Sequence, residues 1–301
     1  MMTQNEVTAL RRIAEEGDVE ARNRLGALYL EGEGEVPKDE KEALRWFRLA
    51  ADQGHAVAQQ NLGLMYHQGR GVPRNGQQAV KWFRLAAEQG AVHAQYNLGL
   101  IYESGKLVPG DDREAAQWFR LAAEQGNAQA RFHLGMMYHK GRGVTRDNQE
   151  ALRWLKLAAR QGLAVARHQL GLLYEAARDH VKAAQWFRLA AEQGMAVSCF
   201  NLCVLYSEGR GVEQDDREAA RWCRLAAEQG HVVSQLNLGS MFAQGKGVPE
   251  DHIQAHMWLE LAAGQGNAIA AERLAILTMA MKPAQVNQAQ SRAKQWKPST
   301  G

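Results

Sequence analysis

Tryptophan recurs along this chain at a near-fixed spacing, at positions 46, 82, 118, 154, 186, 222 and 258, giving intervals of 36, 36, 36, 32, 36 and 36 residues. Around each stands a version of one nonapeptide. WFRLAAEQG occupies Trp82–Gly90, Trp118–Gly126 and Trp186–Gly194, and WFRLAADQG, WLKLAARQG, WCRLAAEQG and WLELAAGQG begin at Trp46, Trp154, Trp222 and Trp258. Self-similarity at this period marks an array in which each copy buries its apolar face only against its neighbours. One elongated domain therefore accounts for the 301 residues better than two globules do.

A single copy, residues 55–90, shows what the period encodes. HAVAQQNLGLMYHQG places Ala56, Leu62 and Tyr66 at helical spacing, with Gly63 directly after the leucine, and reads as an amphipathic first helix. GRGVPRN follows, a loop with glycines at 69 and 71 and proline at 73. A second helix then opens at Asn75, carries Ala79, Trp82, Phe83, Ala86 and Ala87, and closes at Gln89–Gly90 with a glycine cap. Two antiparallel helices per period make an αα-hairpin repeat.

The acids that open the second helices have a structural reading. Asp39-x-x-Glu42, Asp111-x-x-Glu114, Asp147-x-x-Glu150 and Asp215-x-x-Glu218 match the capping box, with Asp251-x-x-Gln254 as a variant. Each cap is worth about 1 kcal/mol. A glycine follows the first-helix leucine at 26, 63, 99, 135, 171 and 239. In a helix interior it costs about 1 kcal/mol, so it is expected to permit close contact, with the tryptophan and alanines of the second helix as neighbours.

The pattern A-x-A-Q-x-x-L-G-x-x-Y, G-x-G-V, A-x-x-W-x-x-x-A-A-x-Q-G, repeated seven times over about residues 18–266, resembles the Sel1-like repeat family, relatives of the tetratricopeptide repeat. The resemblance implies an all-α, right-handed superhelical solenoid of helix-pair repeats, with first helices lining the concave side. For function it implies adaptor or scaffold activity in multiprotein complexes, mostly bacterial, and it offers no shared catalytic residue. The expected organisation is an N-terminal capping helix at 1–17, repeats at 18–54, 55–90, 91–126, 127–162, 163–194, 195–230 and 231–266, a C-terminal half-repeat with capping helix at 267–297, and a disordered tail at 298–301. Repeat one has one extra residue in its loop, GEGEVPKD, and repeat five loses its G-x-G-V loop after Tyr174.

Composition excludes several classes. A net charge of +3 is too small to argue for nucleic acid. No apolar run approaches the 18 residues or so of a membrane span. The start MMTQNEVTALRRIAEEG lacks the apolar stretch of a secretory signal, so a cytoplasmic protein is expected. Charge is nonetheless uneven: residues 1–42 carry eleven acidic and six basic side chains, whereas residues 267–301 carry Glu272 against Arg273, Lys282, Arg292, Lys294 and Lys297. Such opposite ends would favour head-to-tail association; solvated ends account for the same bias.

Candidate chemistry is sparse, and no catalytic, cofactor-binding or metal-ligating residue is assigned. The G-R-G and G-K-G loops follow no strand and lead to no GKS or GKT, so they are not phosphate loops; their Arg and Lys side chains form a solvated basic edge. His252 and His256 have the spacing of a helical zinc pair but lack the intervening Glu and a third ligand. His67, Glu103, His139 and Glu175 occupy one equivalent position in successive repeats, and helices about 10 Å apart hold them too far apart for shared ligation. Ser291-x-x-Lys294 matches a β-lactamase tetrad without the S-D-N or K-T-G that should accompany it. Three cysteines make no disulfide framework. Cys199 sits where cysteine-rich relatives place one of theirs, but the partner position holds Ala191. Cys203 and Cys223 read as small buried hydrophobes, with a redox role for Cys199 and Cys203 left open.

If the first helices line a groove, the residues facing it include Tyr96, Phe132, His168, Phe200 and Leu236, flanked by Asn61, Asn97, Asn201 and Asn237. Apolar anchors beside amides suit an extended peptide or a partner helix. Leu100, Met136 and Leu172 lie nearby and serve either the groove or the packing between helices. The reading is a non-enzymatic adaptor that binds a protein or peptide partner in this groove. The alternatives are an immunity or chaperone-like inhibitor of an effector protein and, from another class, a β-lactamase-like hydrolase.

Overall fold

The computed structural model describes residues 3–32 and 36–299, which contain seventeen α-helices and no strand. The chain divides into two compact bodies, residues 1–161 and 162–301. The first holds α1 (Gln4–Glu15), α2 (Val19–Glu31), α3 (Glu40–Ala51), α4 (Ala56–Gln68), α5 (Gly76–Glu88), α6 (Val92–Ser104), α7 (Asp112–Glu124), α8 (Ala128–Lys140) and α9 (Asn148–Arg160). The second holds α10 (Ala164–Ala176), α11 (His180–Ala191), α12 (Ala196–Glu208), α13 (Asp216–Glu228), α14 (Val232–Gln244), α15 (His252–Gly264), α16 (Ala268–Ala280) and α17 (Pro283–Gln295). From α2 to α15 the helices pair as hairpins, each packed on the next first helix within its body.

Local chemistry sets the ends. Asp39, Asp111, Asp147, Asp215 and Asp251 accept hydrogen bonds from the first backbone N–H groups of their helices. The reciprocal half of the expected box does not form: Glu42, Glu150 and Glu218 turn instead to Arg45, Arg153 and Arg221 one turn on. The complete box occurs at Thr3 and Glu6, ahead of α1. Gly69, at φ +77°, ends α4 in the left-handed region that glycine tolerates.

The close contact at the first-helix glycine is made by the residue after tryptophan, not by tryptophan itself. A Cβ built on Gly63 would lie 2.6 Å from the Phe83 ring, one on Gly99 2.5 Å from Phe119, and one on Gly171 2.4 Å from Phe187; Gly135 and Gly239 meet Leu155 and Leu259 at 2.8 Å. These side chains are fully buried, while Trp118 and Trp186 are only half-buried. Tryptophan instead closes the outer side of the core, with Arg45, Arg153 and Arg221 over the rings of Trp46, Trp154 and Trp222. Repeat six fills this space with different residues. Cys203 replaces the glycine and Cys223 replaces the phenylalanine; both are buried, and the Cys223 thiol donates to the Ser234 carbonyl at 3.3 Å.

Adjacent repeats are tied by side chains about thirty residues apart. The loop cations are paired rather than forming a solvated basic edge: Arg70 bonds Glu40 at 3.1 Å, Arg142 bonds Asp112 at 2.6 Å, Lys246 meets Asp216 at 3.3 Å, and Arg210 pairs with Glu175. The glycine after each cation sits against the start of the preceding second helix, where a Cβ on Gly143 would lie 1.9 Å from the Asp112 carbonyl oxygen. Repeat three inverts this pair. Leu107 takes the loop position and the helix supplies the glycine, Gly76, whose Cβ would lie 2.4 Å from the Leu107 carbonyl oxygen. The glutamines of A-x-A-Q donate from Gln59, Gln95 and Gln235 to the carbonyls of Ala51, Ala87 and Ala227, capping the preceding second helix.

Repeat five turns without its loop by placing Arg178, a non-glycine, at φ +60°, a conformation uncommon outside glycine and asparagine. At the C-terminal end α17 packs across α15, with Trp296 edge-on to Trp258 at 6.0 Å, and makes little contact with α16. Of the tail expected to be disordered, Ser299 donates to the Glu228 carbonyl at 2.8 Å; Thr300 and Gly301 lie outside the described residues, as does the repeat-one insertion at Glu33–Glu35.

The volume exchange in repeat six is testable by urea unfolding. Cys223→Phe alone is expected to cost about 1–3 kcal/mol by overpacking, and Cys203→Gly alone about 1 kcal/mol from a helix-interior glycine. The double variant rebuilds the pair used elsewhere and should be more stable than Cys223→Phe; simply additive losses would show that the two positions do not share one space.

Candidate partner-binding faces of the first helices

In the first body α4, α6 and α8 lie side by side and bring Asn61, Tyr96, Asn97 and Phe132 to one face, all half-buried. Tyr96 leans on Phe119 and His133, with ring centroids 5.9 Å away in each case, and Phe132 meets His133 edge-on at 5.7 Å. His133 itself stacks on Phe119 at 4.8 Å, and its Nδ1 lies 3.0 Å from Glu103 Oε2. The His133 hydrogen bond holds the Glu103 carboxyl below the usual carboxylate range. Burial, with Glu103 nearby, raises the Tyr96 phenol.

In the second body α10, α12 and α14 present His168, Phe200, Asn201 and Asn237, also half-buried. His168 Nδ1 lies 2.9 Å from Ser198 Oγ with its ring 5.6 Å from Phe187, and Phe200 sits 4.9 Å from the ring of His231. Leu236 departs from expectation. It is 7% exposed, in a cluster with Leu259, Ala262 and Ala270 that also takes Leu274 and Leu277 of α16, so it is core and presents nothing to a partner.

The amides separate into two sets. Gln59, Gln95 and Gln235 are buried and committed to the backbone of the preceding repeat. Asn61, Asn97, Asn201 and Asn237, two residues further along each first helix, are half-exposed, and their side chains make no hydrogen bond within the described residues. A primary amide offers two donors and one acceptor oxygen, which matches the N–H and C=O of an extended backbone.

The pair Glu103–His133 was not legible as a pair. The thirty-residue offset that joins it also joins His168 to Ser198 and Gln59 to Gln89, so that offset, read along the repeat, is the signal that finds neighbours. Glu103 pairs with His133 and Arg142, and Glu175 with His180 and Arg210, rather than with the histidines at 67 and 139. No three His, Cys, Asp or Glu side chains among the described residues converge as metal ligands would. All three cysteines are reduced and buried; Cys199, in the place of the capping glutamine, reaches the Ala191 carbonyl at 3.9 Å, and burial pushes its thiol up to about 11.

Seven segments, residues 19–55, 56–90, 92–127, 128–163, 164–195, 196–231 and 232–267, match the Sel1 repeat. The chain belongs to the Sel1 repeat family. Its fold is accordingly an all-α solenoid of helix pairs, and Sel1 repeat proteins are generally protein-interaction scaffolds of a typically non-enzymatic adaptor fold. Among solved structures it is similar to a Sel1 repeat protein from Oxalobacter formigenes, 40% identical with a TM-score of 0.76, covering 91% of this chain and 80% of that one. It is also similar to a protective antigen of uropathogenic Escherichia coli strains displaying an SLR fold, 30% identical with a TM-score of 0.46, covering 97% and 79%. DAP3-binding cell death enhancer 1 of Rattus norvegicus is 38% identical over 72 residues, 24% of this chain. The chain spans only 14% of that relative's length. No helix among the described residues is long and apolar enough to cross a membrane.

Burial lowers His67, His168, His231 and His256 from the ordinary value of 6.5, so the folded protein favours their neutral forms. The unfolded chain then binds more protons below that value, and stability must fall as pH drops. Scanning calorimetry should show a Tm that is flat above about pH 7 and declines from about pH 6.5 downward, with a shallower decline in His168→Gln; a variant slope equal to wild type would remove His168 from the account.

Proposed function

We propose that this Sel1 repeat protein is a non-enzymatic adaptor that holds an extended, peptide-like segment of a partner protein against its first-helix faces. The observation that carries the reading is the set of free asparagine amides. Four of them, at equivalent positions, are half-exposed and uncommitted, three of them two residues beyond glutamines of the same chemistry that the fold consumes. An extended segment crossing α4, α6 and α8 would meet Asn61 and Asn97 as backbone partners and Tyr96 and Phe132 as apolar anchors. In the second body Asn201 and Asn237, with His168 and Phe200, offer the same combination. Supported aromatics flanked by hydrogen-bonding groups are the make-up of binding hot spots.

The cytoplasm suits this reading, since the three buried cysteines are unpaired. The side chains that would need to cooperate in hydrolysis are engaged elsewhere: the acids at the second-helix starts cap helices or pair with loop cations, and Ser291 lies exposed on α17.

Affinity capture from a lysate of the source cell tests the proposal, with wild type beside an Asn61→Ala, Asn97→Ala, Phe132→Ala variant. Helicity should be unchanged, since none of the three is fully buried. Each truncation is expected to cost roughly 1–2 kcal/mol of binding, so a partner held by wild type should be lost from the variant. A partner retained equally by both would place its contacts on another face.

A further inference from the structure

Every first helix from α2 to α14 is covered by the second helix of its own repeat, but α16 is not. The positions that a second helix buries elsewhere are open on α16. Ala275 stands in the place of the packing glycine and is exposed, and Leu274 and Leu277 are half-buried where Leu62 and Met65 are fully buried. Ile276 and Met279, at 65% and 89% exposure, extend this apolar strip. The helix that follows, α17, lies on α15 instead. A solenoid normally ends in a polar face, and an open apolar strip of this kind marks an interaction surface.

Helix α1 is the converse. It makes two of the contacts of a second helix with the next repeat: Arg22 Nε donates to the Ala14 carbonyl at 2.8 Å as Gln59 does to Ala51, and Arg11 reaches the Tyr29 hydroxyl as Arg48 reaches Tyr66. Yet the face that its own first helix would cover is exposed at Ala9 and at Ile13, which is 40% exposed. Helices α1 and α16 are themselves balanced in charge, Glu6 and Glu15 against Arg11 and Arg12 and Glu272 against Arg273, while acids are in excess over residues 1–42 and cations over 267–301.

We propose that the open face of α16 binds α1 of a second copy of this chain, so that α1 supplies the second helix that α16 lacks. In the resulting hairpin α1 meets α16 through Ala9 and Ile13 rather than through Leu10, which is already buried against α2. Ala275, with a Cβ where most other first helices carry glycine, holds the two helices further apart than within a repeat. Antiparallel pairing brings Lys282, just beyond α16, towards Glu6 in the first turn of α1. The contact is heterologous, joining two different surfaces, so it extends head to tail rather than closing as a symmetric dimer.

Sedimentation velocity on the full chain tests this directly. Wild type should exceed its 33.4 kDa monomer mass increasingly from micromolar to near-millimolar concentration, and less so as salt rises. Ile13→Glu blocks one face and Ile276→Glu with Met279→Glu blocks the other; all three side chains are exposed, and circular dichroism would check that each variant keeps its helicity. Each variant alone should be monomeric, and an equimolar mixture should form a dimer that grows no further, because the one intact α16 and the one intact α1 are used in the contact and only blocked faces remain at the ends. Three results would each overturn the proposal: a wild type that stays monomeric throughout, an Ile13→Glu variant that still associates through α16 alone, or a mixture that fails to dimerise.

Discussion

The repeat depends on one close approach, between a glycine in the middle of the first helix and the large side chain that follows tryptophan in the second. With no Cβ at 63, 99 or 171, a phenylalanine ring can lie almost on the first-helix backbone. That contact sets the distance between the two helices of a hairpin, and the small alanines on either side of the ring let the rest of the interface close. The helix-propensity cost of the glycine is offset by a fully buried aromatic ring, worth more than the roughly 1 kcal/mol lost. Repeat six shows that the constraint is on shared volume and not on residue type, since two cysteines fill the space of a glycine and a phenylalanine.

A second rule governs how hairpins follow one another. Loop cations reach across about thirty residues to the acid opening the preceding second helix, and the A-x-A-Q glutamines reach eight residues back to the carbonyl ending it. Exposed ion pairs of this sort contribute little individually. The glutamines, being buried, cannot go unpaired without a desolvation cost, and so they specify register. Repeat three keeps the close loop contact while moving its glycine from loop to helix, Leu107 against Gly76. The same economy leaves the asparagines two residues beyond the glutamines uncommitted, and it is from the uncommitted groups that a scaffold can offer binding.

Much of this was legible in order along the chain. The tryptophan period, the glycine stops and the aspartate starts placed the helices and their pairing, because caps and apolar periodicity are local and repeat seven times. Pairwise partners were harder. Glu42 looks like half of a capping box by spacing, and only the geometry shows it turned to Arg45. The loop arginines look solvated by composition and are in fact paired with acids one repeat away. Leu236 looks like its row-mates Tyr96 and Phe132 and is buried, because Leu259 of α15 and Ala270, Leu274 and Leu277 of α16 close over it.

By itself, then, the sequence determined the all-α repeat, its helices, their caps and the family, since each of these follows from short-range spacing multiplied over seven copies. Tertiary structure decided what spacing cannot carry: that the side chain after tryptophan and not the indole meets the glycine, that in α4, α6 and α14 the glutamine is consumed while the asparagine two residues on stays free, and that α17 folds over α15 and leaves α16 open. Those outcomes depend on which groups fill a shared volume first, a competition settled only when distant residues are packed together.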